Sequence, residues 1–224
     1  MKYQRLHPWD ISPSEAIQIQ NQLKNRVCLE PLQQPVERVA GADIAIFRES
    51  QEAFAGVVVM SYPDLTILEK RGKRVQISFP YIPGLLSFRE IPVLIKLFEK
   101  LTHEPDLILV DGQGIAHPRR MGLATHLGLI FNKPTIGCAK SWLFGRYREP
   151  GLKAGATQPL VTDQKEVVGA VVRTKANVRP LFVSGGHKID LEASIHFTLT
   201  SCRGYRLPEP TRQAHLFVNR LRSV

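Results

Sequence analysis

Residues 106–140 read DLILVDGQGIAHPRRMGLATHLGLIFNKPTIGCAK, and their pattern decides the fold class. Two apolar runs, LILV and TIGCA, bracket a helical segment, and each ends on a charge, Asp111 and Lys140. Short apolar runs without polar alternation predict strands buried on both faces, with RMGLATHLGLIF as the helix between them. Asp111 closes the first strand with no cation next to it in sequence, so the carboxylate either caps a turn or holds something.

Working outward, SFREIPVLIKLFEKL precedes this unit as a helix with Ile91, Leu94, Ile95, Phe98 and Leu101 on one face. Before it come three strand-like runs at 39–47, 54–62 and 66–79, separated by turn residues Ser50, Gln51, Pro63 and Asp64. The chain begins with a helix over about 13–27, announced by SPSE: Ser12 caps, Pro13 suits the first helical position and Glu15 completes a capping box. After residue 140, VVGAVVRT and PLFVSGG predict two more strands, and 190–202 and 209–222 predict helices; 144–164 reads as an exposed loop. A three-strand antiparallel meander followed by alternating helices and strands implies one α/β domain, a mixed sheet flanked by helices, in the order of a ribonuclease H-like fold.

Lys and Arg number 30 against 20 Asp and Glu, and the net charge of +10 favours a polyanionic partner such as nucleic acid. No apolar run approaches the roughly 18 residues of a spanning helix, and the start, MKYQRLHPWD, lacks the apolar core of a signal peptide. Cys28, Cys138 and Cys202 are scattered and form no CxxC pair, which argues for a reducing, cytoplasmic setting and against a zinc site.

Asp43 lies inside the first strand, where Asp is disfavoured. If the first and fourth strands are neighbours, Asp43 and Asp111 converge, and two desolvated carboxylates repel unless a proton or a metal ion lies between them. Oxygen donors without a thiol point to Mg²⁺, or Mn²⁺ in its place. For Asp111 alone the turn reading stands beside the metal reading; the pair together favours metal. Glu90 forms S-x-x-E with Ser87, and spacing favours a capping box there over assistance to the metal. Lys140 sits where open α/β sheets bind ligands and suits stabilisation of a pentacovalent phosphate, although an exposed lysine at a strand end is common. His117 reads as a surface residue, and His215, in AHLFV, as a satisfied core histidine.

GQG at 112–114 is a poor dinucleotide fingerprint because the third glycine is missing. The glycines at 84, 112, 114, 122 and 137 suggest close backbone approach to a flat object, with ordinary turns as the alternative. In PYIPG, Pro80 and Pro83 stiffen a loop that presents Tyr81 and Ile82 at its crest, suited to entering a base stack; the alternatives are a loop folded onto the core and a polyproline ligand.

GADIAIF, FPYIPGLLSFRE, LVDGQGIAHPRRMGLATHLGL, PTIGCAKSWL, FVSGGHKID and YRLPEPTR, taken in order, resemble the endonuclease V family of deoxyinosine-directed nucleases. The resemblance implies a single catalytic domain over residues 1–224 and Mg²⁺-dependent hydrolysis of the second phosphodiester bond 3′ to a deaminated purine, leaving 3′-hydroxyl and 5′-phosphate ends. It implies Asp43 and Asp111 as metal ligands, with Glu90, Lys140 and His215 completing the catalytic group and His117 bordering it. Pro80, Tyr81, Ile82 and Pro83 become the DNA wedge. The hypoxanthine pocket falls on Gly84, Leu86, Gly112, Gly114, Gly122, Leu123, Gly137 and Leu143. Trp142 departs from the family pattern, where a charged residue is frequent. An inosine-specific RNA endonuclease and a basic nucleic-acid-binding module without catalysis are the rival readings.

Overall fold

The amino-terminal strands form the expected antiparallel meander, β1 (Arg38–Ile46), β2 (Glu52–Ser61) and β3 (Ile67–Gln76), in a computed structural model that describes residues 1–46 and 52–222. Phe47, Ser50 and Gln51 lie outside the described residues. Helix α1 (Pro13–Leu23) precedes them, and its capping box forms in full: Ser12 accepts from the Glu15 amide while Glu15 accepts from the Ser12 amide. A short 3₁₀ turn, Lys24–Arg26, extends it.

The chain then runs through α2 (Leu86–Phe98), β4 (Leu107–Val110), α3 (Leu123–Phe131) and β5 (Thr135–Ala139). Next come β6 (Thr157–Val161), β7 (Val167–Val172), β8 (Leu181–His187), α4 (Leu191–Thr200) and α5 (Glu209–Arg222). The eight strands make one sheet in the order β3-β2-β1-β4-β5-β8-β7-β6. Its centre, β1, β4 and β5, is parallel, and the remaining pairs are antiparallel. The segment 144–164 is therefore not loop throughout: Thr157–Val161 is an edge strand on β7.

Alternation along the strands divides the core. Ala40, Ala42, Ile108 and Val110 pack with Ile91, Leu94, Phe98, Leu127 and Phe131 of α2 and α3. Val39, Leu107, Leu109 and Ile136 face the other way, toward Ala214 on α5 and the partly buried side chains of α4. Together these layers bury enough apolar surface to dominate folding. Helix α5 lies unusually close to the sheet because Gly41 offers no side chain: a Cβ there would overlap the Pro210 carbonyl. Gly56 and Gly72 carry the same channel across β2 and β3, beneath Phe217 and Leu221. That close docking brings the next turn of α5 against Asp43.

Candidate active site

Ala42 pairs with Val110 across the parallel β1–β4 ladder, so the next residues, Asp43 and Asp111, stand side by side. Strand pleating turns both away from the α2–α3 face that Ala42 and Val110 occupy. Lys140 follows β5, and its ammonium forms an ion pair with Asp111 Oδ2. The cation absent from the neighbourhood of Asp111 in sequence thus arrives from the adjacent strand. Arg206 braces the same corner, donating from Nη2 to the carbonyls of Lys140 at 2.7 Å and Pro180 at 2.8 Å.

His215, on α5, is not a core histidine. Its Nδ1 lies 3.0 Å from Asp43 Oδ2, its Nε2 lies 3.0 Å from Asn219 Nδ2, and its side chain is 43% exposed. With the Asn219 amide donating to Nε2, the ring carries its proton on Nδ1 and donates it to Asp43. Burial pushes the Asp43 carboxyl up; His215 pulls it down, Asp111 adds to the rise and Lys140 opposes it.

Glu90 also departs from its expected place. The amino-terminal cap of α2 is Leu85, without a side-chain bond, and Ser87 lies inside the first turn. The Ser87 hydroxyl bonds His126 Nδ1 at 3.0 Å instead. Glu90 turns toward the acids, and burial, then the charges of Asp43 and Asp111, push its carboxyl up to about 8 against the pull of Arg89. Among the described residues, no three His, Cys, Asp or Glu side chains are gathered closely enough to hold an ion by themselves.

Beside the acids, Ile82-Pro83-Gly84-Leu85 forms a tight turn closed by Leu85 N–H to Ile82 O at 2.9 Å. Gly84 occupies the third position with φ of +81°, a conformation glycine alone adopts without strain. Ile82 is not at the crest: it packs on the cluster of Ala16, Phe79, Leu85 and Phe88. Tyr81 stands out between the exposed Pro80 and Pro83, itself 70% exposed.

The turn forms one wall of a cleft of about 140 Å³. Of the residues assigned to the base pocket, Gly84, Leu86, Gly122, Leu123 and Leu143 line it. Gly112, Gly114 and Gly137 do not. Gly114 and Gly137 pack backbone on backbone, a Cβ on Gly137 overlapping the Gly114 amide and the Gly112 carbonyl, while Gly112 faces the Leu123 side chain. Trp142 is 57% exposed and donates to the Gly145 carbonyl at 2.7 Å.

His117 is buried rather than superficial. Its Nε2 donates to the Gly84 carbonyl at 3.0 Å, and its Nδ1 accepts from the Arg119 amide at 3.1 Å. Burial, then the Arg119 charge, lower its pKa to about 4, with the Gly84 bond opposing. Sequence reasoning passed over Gln113, Arg206 and the pair His7 and His126. Only the amide between two glycines after a buried strand carried any signal.

A mixed sheet in this order, with two acids abreast on adjacent parallel strands, defines a ribonuclease H-like domain with an acid-lined centre. The chain belongs to the endonuclease V family, whose model matches residues 21–216, and this places it among the nucleases. It is 50% identical to the endonuclease V of Dehalococcoides mccartyi over 216 residues, 96% of each chain. The Bacillus subtilis endonuclease V structure superposes with a TM-score of 0.94 at 35% identity, covering 100% of this chain and 98% of that one. The Ciona intestinalis enzyme, solved with a 24mer DNA containing an inosine followed by a ribo-adenosine, superposes at 0.84 and 29% identity, covering 94% and 97%.

Proposed function

We propose that the protein is a divalent-metal-dependent endonuclease acting on DNA that carries deoxyinosine. In this reading it hydrolyses the second phosphodiester bond 3′ to the lesion and leaves 3′-hydroxyl and 5′-phosphate ends. The observation that carries the reading is the juxtaposition of Asp43 and Asp111 across the β1–β4 ladder, beside a small cleft and an exposed aromatic tip.

The donor set suits Mg²⁺ or Mn²⁺. Asp43 and Asp111 offer hard oxygens, burial and then the two neighbouring carboxylates push the Glu90 carboxyl up to about 8, and an ammonium already neutralises Asp111. With so few protein ligands, a bound ion would draw the rest of its shell from water and phosphate oxygens, as Mg²⁺ prefers. A bound ion would polarise a phosphoryl oxygen and lower the pKa of a water.

The chain's own groups do the remainder. Lys140 stabilises charge on the phosphate or the leaving oxygen. His215 orients Asp43 through its Nδ1–H, and Glu90 acts through water. Extruding a base costs a few kcal/mol, least where pairing is already weak, as it is for inosine in a mismatch. Tyr81 enters the stack between Pro80 and Pro83 while Ile82 anchors the turn. The cleft receives hypoxanthine, with His117 holding its Gly84 wall. A cut that falls away from the lesion requires the pocket and the acids to be distinct, and the lining of the cleft includes neither Asp43 nor Asp111.

Cys28, Cys138 and Cys202 are free thiols, which fits a reducing cytoplasm. Among the described residues no helix is long and apolar enough to cross a membrane. Inosine in RNA is the second reading, favoured by the ribo-adenosine in the strand bound by the Ciona protein.

The test is nicking of end-labelled DNA and RNA strands with one inosine or none, in Mg²⁺, Mn²⁺ or chelator. Nicking in chelator, or equal nicking without inosine, rejects the reading. Tyr81→Ala is expected to raise KM for an inosine duplex about tenfold, the value of one aromatic–base stack, with kcat little changed. An unaltered KM removes the wedge.

A further inference from the structure

The cleft beside Tyr81 contains a buried acceptor with nothing to accept. Gln113 lines the cleft and is 8% exposed. Its side-chain nitrogen donates to the Ser141 carbonyl at 3.0 Å. A backbone carbonyl only accepts, so this bond determines which way the amide points. The side-chain oxygen is left buried and unpartnered, and among the described residues no other side-chain polar atom of the lining shares that condition. A buried carbonyl oxygen left unpaired is costly, and native structures rarely keep one unless a ligand or water supplies the donor.

The neighbouring polar groups have no donor to spare. His117 spends its one ring proton on the Gly84 carbonyl. Ser87 is committed through a relay whose polarity follows by elimination. His7 Nδ1 lies 2.7 Å from the Pro8 carbonyl and must donate to it. Burial lowers the pKa of both His7 and His126, so both rings are neutral near pH 7. His7 Nε2 therefore accepts from His126 Nε2 at 2.8 Å, leaving His126 Nδ1 to accept the Ser87 hydroxyl proton. Apart from the exposed Tyr81 and the second N–H of Gln113 itself, the side chains of the cleft offer acceptors only.

We propose that Gln113 is a specificity-determining residue, accepting a hydrogen bond from the ring N–H on the lactam edge of the flipped base. This rests on reading the cleft as the hypoxanthine pocket and adds to it a side-chain reader. Hypoxanthine carries a proton on N1. Adenine presents a lone pair at that position, which would face the lone pairs of Gln113 Oε1.

A bracing role alone, with Gln113 merely holding the Ser141–Leu143 corner, makes a different prediction. Binding is measured without divalent ions for duplexes bearing inosine or the unsubstituted purine, which has neither the oxo group nor the N1 proton. In the wild type, inosine binds more tightly. In Gln113→Met, of similar length and volume, the inosine-to-purine affinity ratio is expected to shrink about tenfold, the worth of one hydrogen bond. Equal weakening of both duplexes, with the ratio kept, overturns the proposal in favour of a brace. Equal binding of the two duplexes by the wild type overturns it whether or not the variant folds. A wild type that nicks no inosine strand in any divalent ion overturns the proposed function itself, whereas nicking with an unchanged ratio in the variant overturns this inference alone.

Discussion

Asp111→Ala is expected to remain folded while its nicking of an inosine-containing duplex in Mg²⁺ falls by about a thousandfold or more. The carboxylate lies at the end of β4, abreast of Asp43 and paired with Lys140. Removing it halves the direct oxygen donors available to an ion and leaves Lys140 without its partner. Stability should change little. The side chains of Lys140 and Asp111 are 36% and 19% exposed, and a solvent-screened pair of that kind contributes about 1 kcal/mol or less. Asp43→Ala should lose as much activity, and it also deprives the His215 Nδ1 proton of its acceptor. Single-turnover nicking, with a thermal melt as the control on folding, separates the two effects. Full activity in a folded Asp111→Ala protein would remove the metal assignment.

How far these positions could be read in advance depended on where their decisive partners lie. LILV and TIGCA were legible as strands because burial on both faces leaves an unbroken apolar run. TQPLV was not: it is an edge strand containing Pro159, paired along its length with β7 and bridged at Val161 to Arg146, so its sequence carries neither alternation nor a run.

Identical local spacing also led to opposite outcomes. Ser12 and Glu15 cap α1 reciprocally, whereas Ser87 and Glu90, also three residues apart, do not. The difference lies 39 residues away from Ser87, in the buried ring of His126, and in the acids that face Glu90. His215 looked apolar by its neighbours, yet Ala214 and Val218 take the buried side of α5 and leave His215 to Asp43. Ile82 and Tyr81 are adjacent and equally hydrophobic in pattern; the turn at Pro83–Gly84 sends one inward and the other out. Each reading that changed did so through a contact distant in sequence, where propensity has no reach.

Lowering the pH from 7 toward 4 is expected to destabilise the protein through histidines that it buries uncharged. Burial lowers the pKa of His117 and His187 to about 4, aided in the first by Arg119 and in the second by Lys188 and Arg26. His126 is shifted well down and His7 in the same direction. An unfolded chain binds protons at these rings from about pH 6.5 downward. Between that value and about 4 the unfolded state therefore holds more protons than the native one, and stability falls as the pH falls. His117 and His187 should each remove on the order of 1–3 kcal/mol across this window. The raised carboxyls of Asp43 and Glu90 act with the opposite sign, gaining protons in the native state first, and offset part of the loss.

The local consequence of acid lies at the cleft. A protonated His117 can no longer accept from the Arg119 amide, so the bond ordering residues 117–121 is lost while the bond to the Gly84 carbonyl persists. His117→Gln keeps both a donor and an acceptor but does not titrate. Its melting temperature should therefore fall less than that of the wild type between pH 7 and pH 5, by several degrees at the scale of about 2–4 °C per kcal/mol for a domain of this size. Parallel pH profiles for the two proteins would mean that His117 is not a source of acid lability, and that His187, His126 and His7 carry the response.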